Sequence, residues 1–254
     1  MAEMTPRRNE NNQMSNSPSS QRLICALDTT SPDMALTLAE KLGPSVGALK
    51  LGLEFFGACG PDGFARVTQA GLPIFLDLKL HDIPNTVAQA VHALMPLKPS
   101  IMTVHSAGGP AMMSAAAEAA TEAARTVGCP RPLMVGVTIL TSLDEDDLRA
   151  VGLSTPVTEQ VVRMARLARQ SGLDGVVCSP FEIAAIRMAC GPDFTLVVPG
   201  IRPAGSATHD QKRIMTPAQA IALGADYLVI GRAITGASDP GRAARDIAAE
   251  MTGL

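Results

Sequence analysis

From residue 22 onward the chain alternates, eight times over, between short apolar β-type runs and Ala-rich stretches of helical period, and no other feature restricts its fold so strongly. The β-type runs stand at 22–27, 46–50, 73–77, 100–104, 132–138, 174–178, 195–199 and 226–230, and helical periodicity is clearest at 33–42, 84–95, 110–126, 157–170, 180–189 and 216–223. Strands that alternate with helices form right-handed βαβ units on a parallel sheet. Eight units in a chain of 254 residues match the size of a single α/β domain closed as a (β/α)8 TIM barrel. An open doubly wound sheet is the alternative, and it calls for a glycine fingerprint after the first strand. The chain has Leu27-Asp28-Thr29-Thr30-Ser31-Pro32 there instead, a Ser/Pro helix start. The barrel is therefore expected over 21–254. Residues 1–20, rich in Asn, Ser, Gln and Arg, have little to bury and are expected to be a disordered leader.

Composition excludes several classes of function. A net charge of -3, no Trp and a single Tyr provide neither the basic stripe nor the stacking platform of a nucleic-acid binder. The five cysteines are scattered and contain no Cys-x-x-Cys pair, so neither a zinc site nor a disulfide framework is suggested, and a reducing, cytoplasmic setting is expected. No apolar stretch approaches the ~20 residues of a membrane span.

The chemistry-bearing residues collect where the apolar runs stop. After Ile74-Phe75-Leu76 come Asp77, Lys79 and Asp82. Side chains two apart on a strand share a face, so Asp77 and Lys79 are expected to project together. Charges in such a place are costly unless paired, and a buried structural ion pair is the plain reading. Position argues for more, because a barrel keeps its active site at the C-terminal strand ends. Those ends read Asp28, Lys50, Asp77 with Lys79, Asp82, Thr103 with His105, Thr138 with Thr141 and Ser142, Arg202, and Arg232. The last two runs finish in Gly200-Ile201-Arg202 and Gly231-Arg232, which suits an anion: glycine admits it to backbone N–H groups and arginine supplies a forked cation. Loops after strands seven and eight are the recurrent phosphate site of this fold, and the polar stretch 202–213 has the length of a lid.

Asp-x-Lys-x-x-Asp-Ile-Pro-Asn-Thr at 77–86, Pro-Gly-Ile-Arg-Pro at 199–203 and Gly-Ala-Asp-Tyr…Gly-Arg at 224–232 together resemble the orotidine 5'-phosphate decarboxylases, the bacterial branch in particular. The resemblance runs in order and spacing from about residue 22 to the C-terminus. It implies a homodimer that converts orotidine 5'-monophosphate to UMP and CO2 in pyrimidine biosynthesis, without metal or organic cofactor. Lys79 then matches the proton donor, and Lys50, Asp77, Lys79 and Asp82 match a charged tetrad. Asp82, Ile83 and Thr86 match residues that serve the neighbouring subunit's site. Asp28 matches a ribose contact, Thr141 and Ser142 lie where the pyrimidine is held, and Gln211, Gly231 and Arg232 match phosphate contacts, with Arg202 close by. Metal-dependent sugar-phosphate decarboxylases and aldolases share the Asp-x-Lys-x-x-Asp core but commonly carry an extra acid just before it, where this chain has Ile74-Phe75-Leu76.

Overall fold

Every expected run becomes a strand: β1 (Leu23–Leu27), β2 (Ala48–Gly52), β3 (Ile74–Leu80), β4 (Ile101–His105), β5 (Leu133–Val137), β6 (Gly175–Val177), β7 (Thr195–Val198) and β8 (Tyr227–Ile230). The structure is a computed structural model and describes residues 19–153, 155–203 and 215–252. All eight strands are parallel and pair in chain order, and β8 returns to β1 to close a barrel. The expected leader lies outside the described residues except for Ser19 and Ser20, both buried beside a 3-10 turn at Ser20–Arg22.

The helices follow the barrel rule: α1 (Pro32–Leu42), α2 (Leu53–Thr68), α3 (Pro84–Leu94), α4 (Gly109–Val127), α5 (Glu145–Ala150), α6 (Val157–Gln170), α7 (Ile183–Cys190), α8 (Pro217–Ala222), α9 (Arg232–Thr235) and α10 (Pro240–Glu250). Their starts are chemically marked. The Ser31 hydroxyl accepts the Met34 N–H and Pro32 fills the first position of α1, while Thr216 and Gln219 form a reciprocal capping box on α8. Helix α2 lacks a clean helical period in sequence because Gly57, Gly60, Pro61 and Gly63 interrupt it, and the chain kinks there, with Gly60 at φ 58°.

Strand alternation divides the apolar residues into two layers. Ile24, Ala26, Ala48, Phe75, Ile101, Val135, Val197 and Val229 fill the barrel interior, and the larger cluster lies between the strands and the helices. Along each strand the inward row climbs to one mouth: Phe75 leads to Asp77, Ile101 to Thr103 and Ala48 to Lys50. Helix α4 turns Ala116, Ala119, Ala120, Ala123 and Ala124 inward, all buried, and these small side chains permit close packing.

At the opposite mouth one guanidinium joins the starts of β7 and β8. Arg187, on α7, donates to the carbonyls of Gly224 at 2.7 and 2.9 Å, Phe194 at 2.6 Å, Pro192 at 3.0 Å and Gly191 at 3.1 Å, and pairs with Asp226. Asp226 in turn accepts the Leu196 N–H at 2.7 Å, so the starts of β7 and β8 share one polar junction. Arg187→Ala leaves these acceptors and Asp226 without their cation. It is expected to lower the unfolding free energy by about 3 kcal/mol, measured by urea denaturation at fixed protein concentration.

Candidate active site

The third strand decides the geometry of the upper mouth. The sequence ends it at 77, whereas β3 continues to Leu80 through an irregularity. Leu76 pairs with Met102 and Leu80 with Val104, so Asp77, Leu78 and Lys79 stand opposite Thr103 alone. A bulge of this kind bends the strand and re-aims its side chains. It takes Lys79 to φ 51°, a left-handed conformation uncommon outside glycine. Strict alternation does not survive, but the expected meeting does: Lys79 Nζ lies 2.9 Å from Asp77 Oδ2.

Lys50, from β2, completes the group at 3.4 Å from the same Asp77 oxygen. Gly52, two residues on, makes room for it, since a Cβ at that position would sit 3.0 Å from Lys50 Nζ. Asp77 is 7% exposed. One buried carboxylate is thus shared by two ammonium groups. At an effective dielectric near 20, removal of Asp77 would leave the two cations repelling by about 3 kcal/mol. The excess positive charge faces a cavity of about 250 Å3 lined by Lys50, Asp77, Lys79 and Thr141 and walled by apolar groups that include Phe75, Val137, Ile139, Val177, Pro199 and Val229. A few convergent charges in an apolar cleft are the hallmark of a small-molecule site.

Other expected residues fall around this mouth to different degrees. Asp28 is exposed at the end of β1 and stands near Gly231: a Cβ at Gly231 would lie 3.8 Å from Asp28 Oδ2. Gly231 and Arg232 follow β8, with Arg232 exposed. Arg202 is half-buried, and its N–H donates to Met215 O at 3.2 Å, which closes the base of the loop after β7. Gln211 lies outside the described residues, as does most of the expected lid. Ser142 is exposed next to Thr141, while Thr138 is buried and donates to Val177 O at 3.0 Å, a structural use of its hydroxyl.

Asp82 does not join the cluster within its own chain. Its carboxylate accepts the Ile83 N–H at 2.7 Å, and among the described residues it forms no ion pair. Asp82, Ile83 and Thr86 are all exposed, Ile83 at 66%. The structure therefore brings Lys50, Asp77 and Lys79 together and leaves the second acid of the motif, with an apolar neighbour, on the outside.

Three groups beside the cluster, His105, Cys25 and Cys178, carry shifted protonation. His81 and His105 stack with ring centroids 5.1 Å apart and planes inclined at 22°. Burial, then the neighbouring His81 and Lys79, hold His105 below the ordinary imidazole range. Its Nδ1 accepts the Ala107 N–H at 3.4 Å, which suits the neutral ring. Burial, followed by Asp28, pushes the Cys25 thiol up to about 12, with Lys50 opposing. Cys178, at the cavity wall, is raised mainly by burial. Both thiols are poor nucleophiles as a result. Among the described residues no cluster of His, Cys, Asp and Glu has the geometry of a metal site, and no helix is long and apolar enough to cross a membrane.

The comparisons with known proteins agree with one another. Residues 21–247 match the model of the orotidine 5'-phosphate decarboxylase / HUMPS family. An orotidine 5'-phosphate decarboxylase of Rhodospirillum rubrum is 55% identical over 232 residues, covering 91% of this chain and 94% of the relative. One from Paramagnetospirillum magneticum is 54% identical over 226 residues, covering 89% and 96%. The crystal structure of orotidine 5'-phosphate decarboxylase from Lactobacillus acidophilus superposes with a TM-score of 0.79 at 39% identity, covering 90% of this chain and 98% of that one.

The histidine stack gives a checkable sign. In an NMR titration His105 is expected to take up its proton below 6.5, and His81→Gln is expected to move that midpoint upward by removing a neighbouring charge. Since the unfolded chain binds this proton first, the His105 contribution to stability falls as pH drops below about 6.5.

Proposed function

The chain belongs to the orotidine 5'-phosphate decarboxylase / HUMPS family, and on that premise we propose that Lys79 is the proton donor in a decarboxylation that needs no metal or organic cofactor. The protein is a decarboxylase, and its relatives assign it the conversion of orotidine 5'-monophosphate to UMP in pyrimidine biosynthesis. The observation that carries the finer reading is the contact of Lys79 and Lys50 with one Asp77 oxygen at a cavity wall.

In this mechanism the bond between the pyrimidine ring and its carboxylate breaks and CO2 leaves. The electron pair stays on the ring carbon, which has no adjacent sink. The Lys79 ammonium stabilises that charge as it develops and then delivers its proton to the same carbon, leaving a neutral amine that solvent reprotonates. This is electrostatic preorganisation joined to general acid catalysis. Asp77 holds both ammonium groups in place before the substrate arrives, so little reorganisation remains for the reaction itself. Asp28 contacts the ribose, Thr141 and Ser142 hold the pyrimidine, and Gln211, Gly231 and Arg232, with Arg202 nearby, bind the phosphate. Phosphate binding, remote from the bond that breaks, supplies binding energy for alignment.

Asp82 completes the tetrad in the neighbouring subunit of a homodimer, accompanied by Ile83 and Thr86. The support for this is physical: Asp82 is exposed and outside the ion-pair cluster of its own chain, beside an Ile83 that is 66% exposed. An isologous dimer would bury that apolar side chain and bring the acid to the partner's mouth.

Loss of orotidine 5'-monophosphate absorbance with purified protein, followed by UMP formation, is the direct test. Turnover insensitive to excess EDTA is the expected result, and Lys79→Ala is expected to lower kcat by at least about 10⁴-fold with the fold retained by circular dichroism. Loss of turnover on chelation would overturn the metal-free mechanism. Sharing of the site has its own signature. Lys79→Ala and Asp82→Ala subunits, each inactive alone, are expected to regain about a quarter of wild-type activity when mixed and allowed to exchange. Half of the dimers are then mixed, and each of those has one complete site of two.

A further inference from the structure

Between Leu76 and Leu80 the β3–β4 ladder is interrupted, and one side chain fills the gap. Thr103 is 1% exposed and points into the barrel from β4. Its Oγ1 accepts the Lys79 backbone N–H at 2.8 Å and donates to Asp77 Oδ1 at 3.0 Å. A hydroxyl is one of the few side-chain groups that can accept and donate at once. Here it links the two functional residues of the motif by bonds that neither makes for itself.

We propose that Thr103 is a positioning residue for the decarboxylation: its hydroxyl holds the Lys79 backbone in its left-handed bulge and turns Asp77 so that Oδ2 is presented to the two ammonium groups. Each half has a physical reason. The bulge leaves Lys79 without its ladder partner, and a buried N–H without an acceptor is costly. Lys79 at φ 51° carries backbone strain that persists only where its surroundings over-determine it. At the other end Asp77 has two oxygens with different duties. Oδ1 is occupied by Thr103, and Oδ2 receives Lys79 Nζ at 2.9 Å and Lys50 Nζ at 3.4 Å. Without the bond at Oδ1 the carboxylate is free to rotate about its terminal torsion, and both ammonium groups lose a fixed counter-charge. Thr103 lies one bond behind the reacting groups, so its effect belongs to the chemical step and not to binding of the nucleotide.

This inference rests on the proton-donor reading above, and the experiment separates the two. Thr103→Val keeps the shape and β-branching and removes the hydroxyl. It is expected to lower kcat by about 10- to 100-fold, with KM and the Kd for UMP within about threefold of wild type. Thr103→Ser, which restores the hydroxyl, is expected to recover most of the loss. Should the Val protein fail to fold, Thr103→Ala, which also removes the hydroxyl, carries the same test. A Val or Ala variant with wild-type kcat overturns the inference. So does a Ser variant no better than Val, or a loss of UMP affinity that matches the loss of kcat. A wild-type protein inactive on orotidine 5'-monophosphate overturns the reaction assignment and this inference with it, whereas an active wild type with an indifferent Thr103 overturns this inference alone.

Discussion

A carboxylate held between two ammonium groups inside an apolar mouth is the constraint to which the rest of the site answers. Asp77 is nearly buried, and its desolvation is tolerable only because Lys79, Lys50 and the Thr103 hydroxyl all reach it. Each partner comes from a different strand or from beyond a bulge. The cluster therefore exists only when β2, β3 and β4 are in register, and the barrel is the device that fixes that register. The arrangement is preorganised: its charges meet one another within the chain itself.

The two mouths of the barrel divide the labour. One is fastened by Arg187 and Asp226, which satisfy carbonyls and an N–H around the starts of β7 and β8. The other carries charge, cavity and the loops after the last two strands. On this second face Lys79 takes a left-handed backbone where the β3–β4 ladder is broken. A strand that stayed regular through residue 80 would offer a cleaner sheet. It would also turn Lys79 by simple alternation and leave its N–H on the ladder, so the irregularity is where fold and chemistry are traded against each other.

The strands were legible because each is a short run of buried apolar residues between polar breaks, and all eight form at the expected runs, with β3 extending three residues further. Helix α2 was less legible because four Gly and Pro positions hide its period, and α5 and α9 are too short to show one. The cluster of Lys50, Asp77 and Lys79 was legible too, as charges at successive strand ends. Thr103 was visible at the same rim, but nothing in its identity announced a hydroxyl shared by Asp77 and Lys79. His81 shows the same gap: the sequence leaves its orientation open, and the fold stacks it on His105.

The sequence by itself determined the barrel, the order of its strands and the residue types at its mouth, because hydrophobic period and turn chemistry are local properties written along the chain. Only the tertiary structure decided where β3 breaks its ladder, which oxygen of Asp77 serves which partner, and that Asp82 stays apart from the cluster in its own chain. Those outcomes depend on register between strands about 25 residues apart. A one-residue slip there exchanges inward for outward side chains, and no window of local sequence contains both halves of the pairing.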